Sequence, residues 1–135
     1  MKYEMNIEHI TTDQLNGFFV GWPNPPSNER FLDLLKGSFM AVVAIENNQV
    51  VGFVQAISDG VLSAYIPLLE VLPEYQGKGI GTKLMTLMLE SLKDFYMIDL
   101  ACDPDKVAFY KKIGFHEGSS MMIRNYDRQS GVIIL

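Results

Sequence analysis

Three glycines at alternate positions, Gly77, Gly79 and Gly81, follow an apolar run and a proline turn. Residues 82–93 come next and have helical apolar spacing, so the pattern predicts a strand, a glycine loop and a helix in succession. The first N–H groups of a helix have no internal partner, and the helix dipole places positive charge there. Glycine lets the backbone approach an anion without obstruction by a Cβ atom. The segment therefore predicts a site for a phosphate-bearing ligand.

The composition is that of one ordinary globular domain of 135 residues. No apolar run reaches the ~18 residues that a membrane span needs, and residues 1–6 lack the basic and apolar regions of an export signal. Cys102 is the only cysteine, which excludes an intramolecular disulfide and a cysteine-rich metal site. The formal net charge of −5, without a basic block, argues against nucleic-acid and anionic-membrane partners. We expect a cytoplasmic protein without a metal.

Apolar periodicity and turn signals predict hairpins early in the chain and strand–helix–strand units later. The expected strands cover 2–10, 39–45, 50–57, 62–71 and 97–102, the expected helices cover 11–19, 28–37, 82–93 and 104–113, and a closing hairpin covers 115–125. Pro23, Pro25 and Pro26 interrupt regular structure between the first two helices. This order indicates an α+β fold with a largely antiparallel sheet, in a single domain over residues 1–135.

Two motifs carry a resemblance to a known family. Gln76-Gly-Lys-Gly-Ile-Gly81 reads as Q-x-x-G-x-G after an L-x-V-x-P run, and Phe109-Tyr-Lys-Lys-Ile-Gly-Phe115 reads as F-Y-x-x-x-G-F. In this order, with one strand between them, they resemble the GNAT superfamily of acetyl-CoA-dependent N-acetyltransferases, and the resemblance spans residues 39–125. It implies a mixed, mostly antiparallel sheet flanked by helices and split at a cofactor cleft. It also implies acetyl-CoA as co-substrate and a small-molecule or peptide amine as acceptor.

The resemblance also implies roles for individual residues. The backbone of Val71 would pair with the pantetheine arm of acetyl-CoA, and its N–H group is our candidate for polarising the thioester carbonyl. Tyr110 stands at the family's usual general-acid position, where it would protonate the leaving thiolate. The pyrophosphate would be bound mainly by backbone N–H groups of the glycine loop, in Gln76, Gly77, Lys78, Gly79, Ile80, Gly81 and Thr82.

A base for the amine is less evident from the sequence. By alignment through Val71, Tyr65 and Pro67 occupy the strand positions where some relatives carry a glutamate or a histidine. Glu70 is nearby, although strand alternation directs it away from Val71 unless a bulge intervenes. We predict a water-mediated route that uses Glu70, Tyr65 or backbone carbonyls. Trp22, beside the proline cluster, and Tyr65 are the predicted contacts of the acceptor.

Two other functions stay open at this point. Asp99 follows Gly81 by 18 residues, near the spacing of a dinucleotide-binding acid, but the spacing G-x-G-x-G and the short remaining chain disfavour that function. A non-catalytic coenzyme-A-binding sensor or regulatory module would keep the loop and lack turnover. A homodimer is a further expectation, with the apolar tail at 132–135 as a candidate contact.

Overall fold

The computed structural model describes residues 1–132 of the chain. Five strands form one open sheet in sequence order: β1 (Lys2–Glu4), β2 (Met40–Glu46), β3 (Gln49–Ser58), β4 (Ser63–Val71) and β5 (Met97–Asp99). Three α-helices accompany them: α1 (Asn28–Lys36), α2 (Ile80–Ser91) and α3 (Val107–Lys112). The first four strands are antiparallel neighbours, and β5 pairs parallel with β4. The predicted α+β class and the mostly antiparallel mixed sheet are confirmed.

The sheet is split between its last two strands. Residue pairs join β4 to β5 only from Ser63↔Met97 to Tyr65↔Asp99. Beyond Tyr65, β4 keeps its antiparallel pairing with β3, but no strand within residues 1–132 lies on its other side. The two parallel strands therefore diverge, and the free edge of β4 becomes one wall of a cleft.

The helix that follows the glycine loop packs closely on the middle of the sheet. Leu84, Met85 and Met88 of α2 are fully buried against side chains of β2 and β3. A Cβ atom on Gly52 of β3 would lie 3.1 Å from Cδ1 of Leu84 and 3.2 Å from Cγ2 of Ile80. The missing side chain at Gly52 therefore lets the helix approach the sheet, and this fixes the position of its first turn beside the end of β4.

A second apolar cluster covers the opposite face of the sheet. Phe31 and Leu35 of α1 pack there with Phe53 of β3, and Phe19 joins them from the preceding loop. The hydroxyl of Ser27 accepts the N–H of Arg30 at 3.1 Å and caps α1. This cluster anchors the loop that carries Trp22 into the cleft.

Several predicted elements are shorter in the structure. The first strand ends at Glu4 rather than Ile10, and the helix predicted over 11–19 is a single 3-10 turn at Thr12–Gln14. The side-chain amide of Gln14 accepts the N–H of Thr11 and donates to the carbonyl of Asn48, so it ties this turn to the β2–β3 hairpin. The fifth strand ends at Asp99 rather than Cys102, and its first and last residues are exposed. A 3-10 turn at Pro104–Lys106 replaces the start of the last predicted helix.

The predicted closing hairpin is wrong. Residues 115–125 form neither helix nor strand, although Gly118-Ser-Ser is typical of a turn between two strands. The chain instead crosses back towards the start of α1, where Gln129 Oε1 accepts the N–H of Asn24 at 2.9 Å and the carbonyl of Gly131 accepts Nε of Arg30 at 2.8 Å. The tail predicted as a partner contact lies, from residue 133 onward, outside the described residues.

Candidate active site

A cleft of about 610 Å³ follows the free edge of β4, and this volume is typical of small-molecule sites. The glycine loop and the first turn of α2 close one end, and the segment from Ala101 to α3 forms the opposite wall. Most of the predicted site residues line it: Trp22, Glu70, Val71, Gln76, Gly77, Gly79, Ile80, Gly81, Thr82 and Tyr110. Residues from distant parts of the sequence thus meet at the split in the sheet.

The glycine loop presents free N–H groups to this cleft. Gly77 and Gly79 have φ angles of +77° and +83°, in the left-handed region, and a Cβ atom at either position would meet nothing within 4 Å. The first intrahelical bond of α2 runs from the N–H of Lys83 to the carbonyl of Gly79 at 3.0 Å. The N–H groups of Ile80, Gly81 and Thr82 therefore have no intrahelical acceptor. Unpaired donors beside open space fit an anion such as the pyrophosphate of acetyl-CoA.

Gly81 is needed for a different reason from the other two glycines. Its backbone is not left-handed, and an added Cβ atom would lie 3.7 Å from Cζ of Phe109 and 3.8 Å from Cγ2 of Val71, which are ordinary contacts. A small side chain is therefore compatible with the fold but would project into the gap between β4 and α3. The absent side chain keeps that gap open.

The end of β4 offers backbone groups to the same gap. The N–H of Leu72 donates to the carbonyl of Val51 at 2.9 Å, so it points towards β3. Successive residues of a strand alternate in direction, and the N–H and carbonyl of Val71 therefore point to the free edge. The side-chain amide of Gln76 donates to that carbonyl at 2.9 Å. Gln76 thereby braces the glycine loop against the strand, and the N–H of Val71 faces the cleft.

Tyr110 approaches from α3, on the far wall. Its half-buried ring packs edge-on against Phe109 and Phe115, with centroids 5.0 and 5.7 Å away. Burial raises the pKa of Tyr110 above its ordinary value, and negative charge on the neighbouring Cys102 sulfur adds to this by repelling the phenolate. Within the part of the chain that the structure describes, its hydroxyl has no hydrogen-bond partner. The phenol is therefore protonated near neutral pH and is a free proton donor at the cleft wall.

Glu70 holds a loop in place. Its two carboxylate oxygens accept the N–H of Phe19 at 2.9 and 3.0 Å, and one of them accepts the N–H of Val20 at 3.4 Å. Phe19 has φ +63°, and its ring lies 4.9 Å from the ring of Trp22. Glu70 and Val71 both line the cleft, because the cleft runs along the edge of β4 and both faces of the strand reach it. The carboxylate thus fixes the loop that positions Trp22.

The side chains of two predicted site residues do not line the cleft. The ammonium group of Lys78 sits 5.4 Å from the centroid of the Tyr75 ring, and its side chain is not part of the cleft wall. Tyr65 is 40% exposed and lines a separate groove beside β5. Neither residue is brought together with Tyr110, and their roles in binding stay predictions.

Sequence reasoning missed Lys106 as a cleft residue. It lies one helical turn before Tyr110, and it is the only lysine or arginine among the described residues that line the cleft. The four-residue spacing from Tyr110 was a usable signal, since residues i and i+4 of a helical segment share a face. Asp103, Cys102 and Phe109 also line this wall. Lys106 is therefore a cationic side chain on the wall opposite the glycine loop, with its ammonium group 3.8 Å from a carboxylate oxygen of Asp105.

Residues 7–115 match the family model described as Acetyltransferase (GNAT) family. The chain belongs to this family. The crystal structure of a proposed acetyltransferase from Deinococcus radiodurans R1 is 43% identical, with a TM-score of 0.95 over 98% of this GNAT chain and 94% of that one. The sequence-based resemblance is thereby confirmed, and so is the fold.

Named relatives point to the same class of enzyme. The uncharacterized N-acetyltransferase ycf52 of Pyropia yezoensis is 33% identical over 102 residues, which cover 71% of this chain and 58% of that protein. The chloroplastic GCN5-related N-acetyltransferase 1 of Arabidopsis thaliana is 32% identical over 113 residues, which cover 80% of this chain and 57% of that protein. The GNAT chain therefore spans less than two thirds of the length of either relative.

Two kinds of feature are absent from residues 1–132. No helix there is long and apolar enough to cross a membrane. No group of three or more histidine, cysteine, aspartate or glutamate side chains within that range is arranged to hold a metal ion.

Proposed function

We propose that this GNAT-family protein transfers the acetyl group of acetyl-CoA directly to a primary amine of a small molecule or a peptide. One observation carries the proposal: a protonated, unpartnered phenol and a set of unpaired backbone N–H groups line the same cleft. The phenol suits a leaving group that needs a proton, and the N–H groups suit an anionic handle on the donor.

In this proposal the chain holds the donor with main-chain groups. The N–H groups of Ile80, Gly81 and Thr82 bind the pyrophosphate, and Lys106 adds a positive charge on the opposite wall. The free edge of Val71 pairs with the amide-bearing pantetheine arm as an added strand would. Its N–H then donates to the thioester carbonyl oxygen and stabilises the charge that develops there. Acetyl-CoA supplies the thioester, whose acyl carbon the amine attacks.

The proton balance assigns one task to each side of the cleft. A carbon–nitrogen bond forms and the carbon–sulfur bond breaks, so the amine loses a proton and the thiolate of coenzyme A gains one. Tyr110 gives its proton to the thiolate, whose ordinary pKa is about 8.5. The amine, with a pKa of about 10.4, is only about one part in 10³ to 10⁴ neutral at pH 7 and must lose a proton. That first proton leaves through water towards Glu70 before the attack. The nitrogen loses a second proton once the carbon–nitrogen bond has formed, and this proton returns through water to the Tyr110 phenolate, so each turnover releases one proton to solvent.

Glu70 also shapes the acceptor pocket. Because its carboxylate already accepts two backbone N–H groups, it acts through water and holds the Trp22 loop at the same time. Trp22 forms a wall of the pocket beside the reacting amine. The alternative function is a coenzyme-A-binding module without turnover. It is favoured by the same hydrogen bonds, because a carboxylate that already accepts backbone N–H groups is less available as a base.

The experiment that separates these functions uses the purified protein with acetyl-CoA and a panel of amines: a polyamine, an amino sugar, an amino acid, a peptide N-terminus and a lysine side chain. Free thiol is measured by a colour reaction, and the acetylated amine by mass spectrometry. We expect thiol and acetyl-amine in equal amounts with at least one acceptor. Binding of acetyl-CoA with no product across the panel would instead support the non-catalytic module.

The compartment is a separate part of the proposal. We place the protein in the cytoplasm, on its composition alone. Two relatives are named chloroplastic, so microscopy of a fluorescent fusion of the full chain in its own host is the appropriate test.

A further inference from the structure

The two halves of the cleft lie on opposite sides of the sheet. Successive side chains of β4 alternate between its two faces. Leu68 packs with the cluster that contains α1, and Glu70 bonds to Phe19 on the same side. Val71 packs with the cluster that contains α2, the helix that begins at the glycine loop. The groups suited to the donor therefore lie on the α2 side, and the wall left for the amine is the one that carries Trp22.

Glu70 holds the start of the Trp22 loop, which comprises residues 19–24. Its carboxylate accepts the first two N–H groups of this loop. The chain then turns through Gly21, which has φ +82° and where a Cβ atom would meet nothing within 4 Å. Trp22 follows and is 36% exposed. The far end of the loop therefore needs a second attachment if Trp22 is to keep its position.

The sequence leaves one main-chain donor at that far end. Positions 23, 25 and 26 are prolines, which have no N–H group. Asn24 therefore carries the only main-chain N–H of residues 23–26. Oε1 of Gln129 accepts this N–H at 2.9 Å, and the two residues are 105 positions apart in the chain. The C-terminal part of the chain thus supplies the second attachment of the loop.

The tail segment, residues 126–131, is itself anchored on α1. The carbonyl of Gly131 accepts Nε of Arg30 at 2.8 Å. The guanidinium of Arg30 is held in turn, since its Nη1 donates to a carboxylate oxygen of Asp33 at 2.8 Å within the same helix. The tail segment therefore has a fixed contact two residues from Gln129.

Burial singles out the same part of the tail. Within residues 116–132, Gln129 and Ser130 are the only two that are not exposed. We propose that Gln129 is a positioning residue, which holds the far end of the Trp22 loop and thereby sets the affinity for the amine acceptor. The side chain of Gln129 does not line the cleft and acts through Trp22, which does. This inference rests on the proposed acetyl transfer.

The second attachment favours binding because it limits the freedom of the loop before the amine arrives. Ordering a loop on binding costs free energy, and a loop that is already fixed avoids part of that cost. Loss of one hydrogen bond of this kind changes an equilibrium by about two- to fivefold. The effect falls on the amine, since the groups suited to the donor lie on the other side of the sheet.

The first test needs no substrate, because Trp22 is the only tryptophan in the chain. Quenching of its fluorescence by acrylamide measures how freely solvent reaches the ring. Gln129→Ala should raise the quenching constant, whereas Gln129→Glu keeps an acceptor oxygen and should stay close to the wild type. The matched control is Ser130→Ala, since that hydroxyl accepts the N–H of Val132 within the tail. Equal quenching in Gln129→Ala and Ser130→Ala would overturn the inference.

The second test is steady-state thiol release with the amine of the panel that reacts fastest. In Gln129→Ala the KM for this amine should rise by about two- to fivefold, while kcat and the KM for acetyl-CoA stay at their wild-type values. Gln129→Glu should restore the KM, and Ser130→Ala should not change it. Thermal unfolding of each variant shows that the fold is retained.

The kinetic outcomes separate this inference from the proposed function on which it rests. An unchanged KM for the amine in Gln129→Ala, or an equal rise in the KM values of amine and acetyl-CoA, would overturn the inference and leave the acetyl transfer standing. No product from the wild type with any amine of the panel would overturn the acetyl transfer, and the inference with it.

Discussion

Replacing Tyr110 by phenylalanine removes the proposed acid and little else. The ring keeps its edge-on packing against Phe109 and Phe115, and the hydroxyl has no hydrogen-bond partner among the described residues. The free energy of unfolding should therefore change by less than about 0.5 kcal/mol. A positioned general acid contributes about 10² to 10⁴ to the rate, so kcat should fall by about that factor. The KM for acetyl-CoA should change little, because the phenol acts on the leaving thiolate.

The pH dependence of the ratio between variant and wild type tests the same assignment. Burial raises the pKa of Tyr110, so the wild-type phenol keeps its proton above the ordinary value of about 10. Amine deprotonation accelerates both proteins equally as the pH rises. The ratio of variant to wild-type kcat should therefore stay constant up to pH 9 and rise only above the raised pKa, where the wild type loses its acid.

The assay is thiol release at saturating acetyl-CoA, with thermal unfolding recorded on the same samples. A variant that keeps kcat within a factor of about three would show that Tyr110 is a packing residue and would refute the assignment. A loss of activity with a large drop in Tm would also refute it, because the reasoning requires a hydroxyl that contributes nothing to stability.

Three further substitutions probe the elements around the cleft. Glu70→Ala should lower the free energy of unfolding by about 1–3 kcal/mol, since it leaves the N–H groups of the Trp22 loop without an acceptor. Glu70→Gln keeps an acceptor oxygen and should lower it less. Equal losses of stability for the two variants in a denaturant titration would contradict the contact. Gly52→Ala should cost about 1–3 kcal/mol by crowding α2, and an unchanged midpoint would show that the helix moves freely. Lys106→Ala should weaken the binding of acetyl-CoA measured by calorimetry, most at low salt. The control is Lys83→Ala, whose side chain does not line the cleft and whose loss should leave the affinity unchanged. An equal loss of affinity in the two variants would exclude a specific role for Lys106.

Local patterns predicted the parts of the site that depend on local structure. The glycine loop is encoded by residues that adopt left-handed angles, and Gly77 and Gly79 do so. The β2–β3 hairpin follows from its turn, where Asn47 and Asn48 have φ angles of +51° and +61°, as a two-residue hairpin loop requires. Tyr110 was selected through the family resemblance of the motif at 109–115, the structure puts it on the cleft wall, and its role as the acid stays a prediction.

The parts that the sequence did not predict depend on distant contacts. Glu70 bonds to the N–H groups of Phe19 and Val20, about fifty residues away in the chain, and no spacing rule links those positions. The closing hairpin was predicted from turn chemistry, but a strand also needs a neighbour at its edge. Residues 115–125 have none among the described residues of one chain, so the local signal was not sufficient.

The most direct test of the central claim is thermal unfolding with and without acetyl-CoA, in the wild type and in Gly81→Leu. The claim is that the donor lies between β4 and α3 on the N–H groups of α2. At a hundred times its Kd, acetyl-CoA should stabilise the wild type by about 2.7 kcal/mol, a rise in Tm of roughly 5–15 °C. Gly81→Leu should fold but lose most of that rise, because its side chain fills the gap beside Val71 and Phe109. No rise in the wild type, an equal rise with NAD⁺, or an equal rise in Gly81→Leu would contradict the claim.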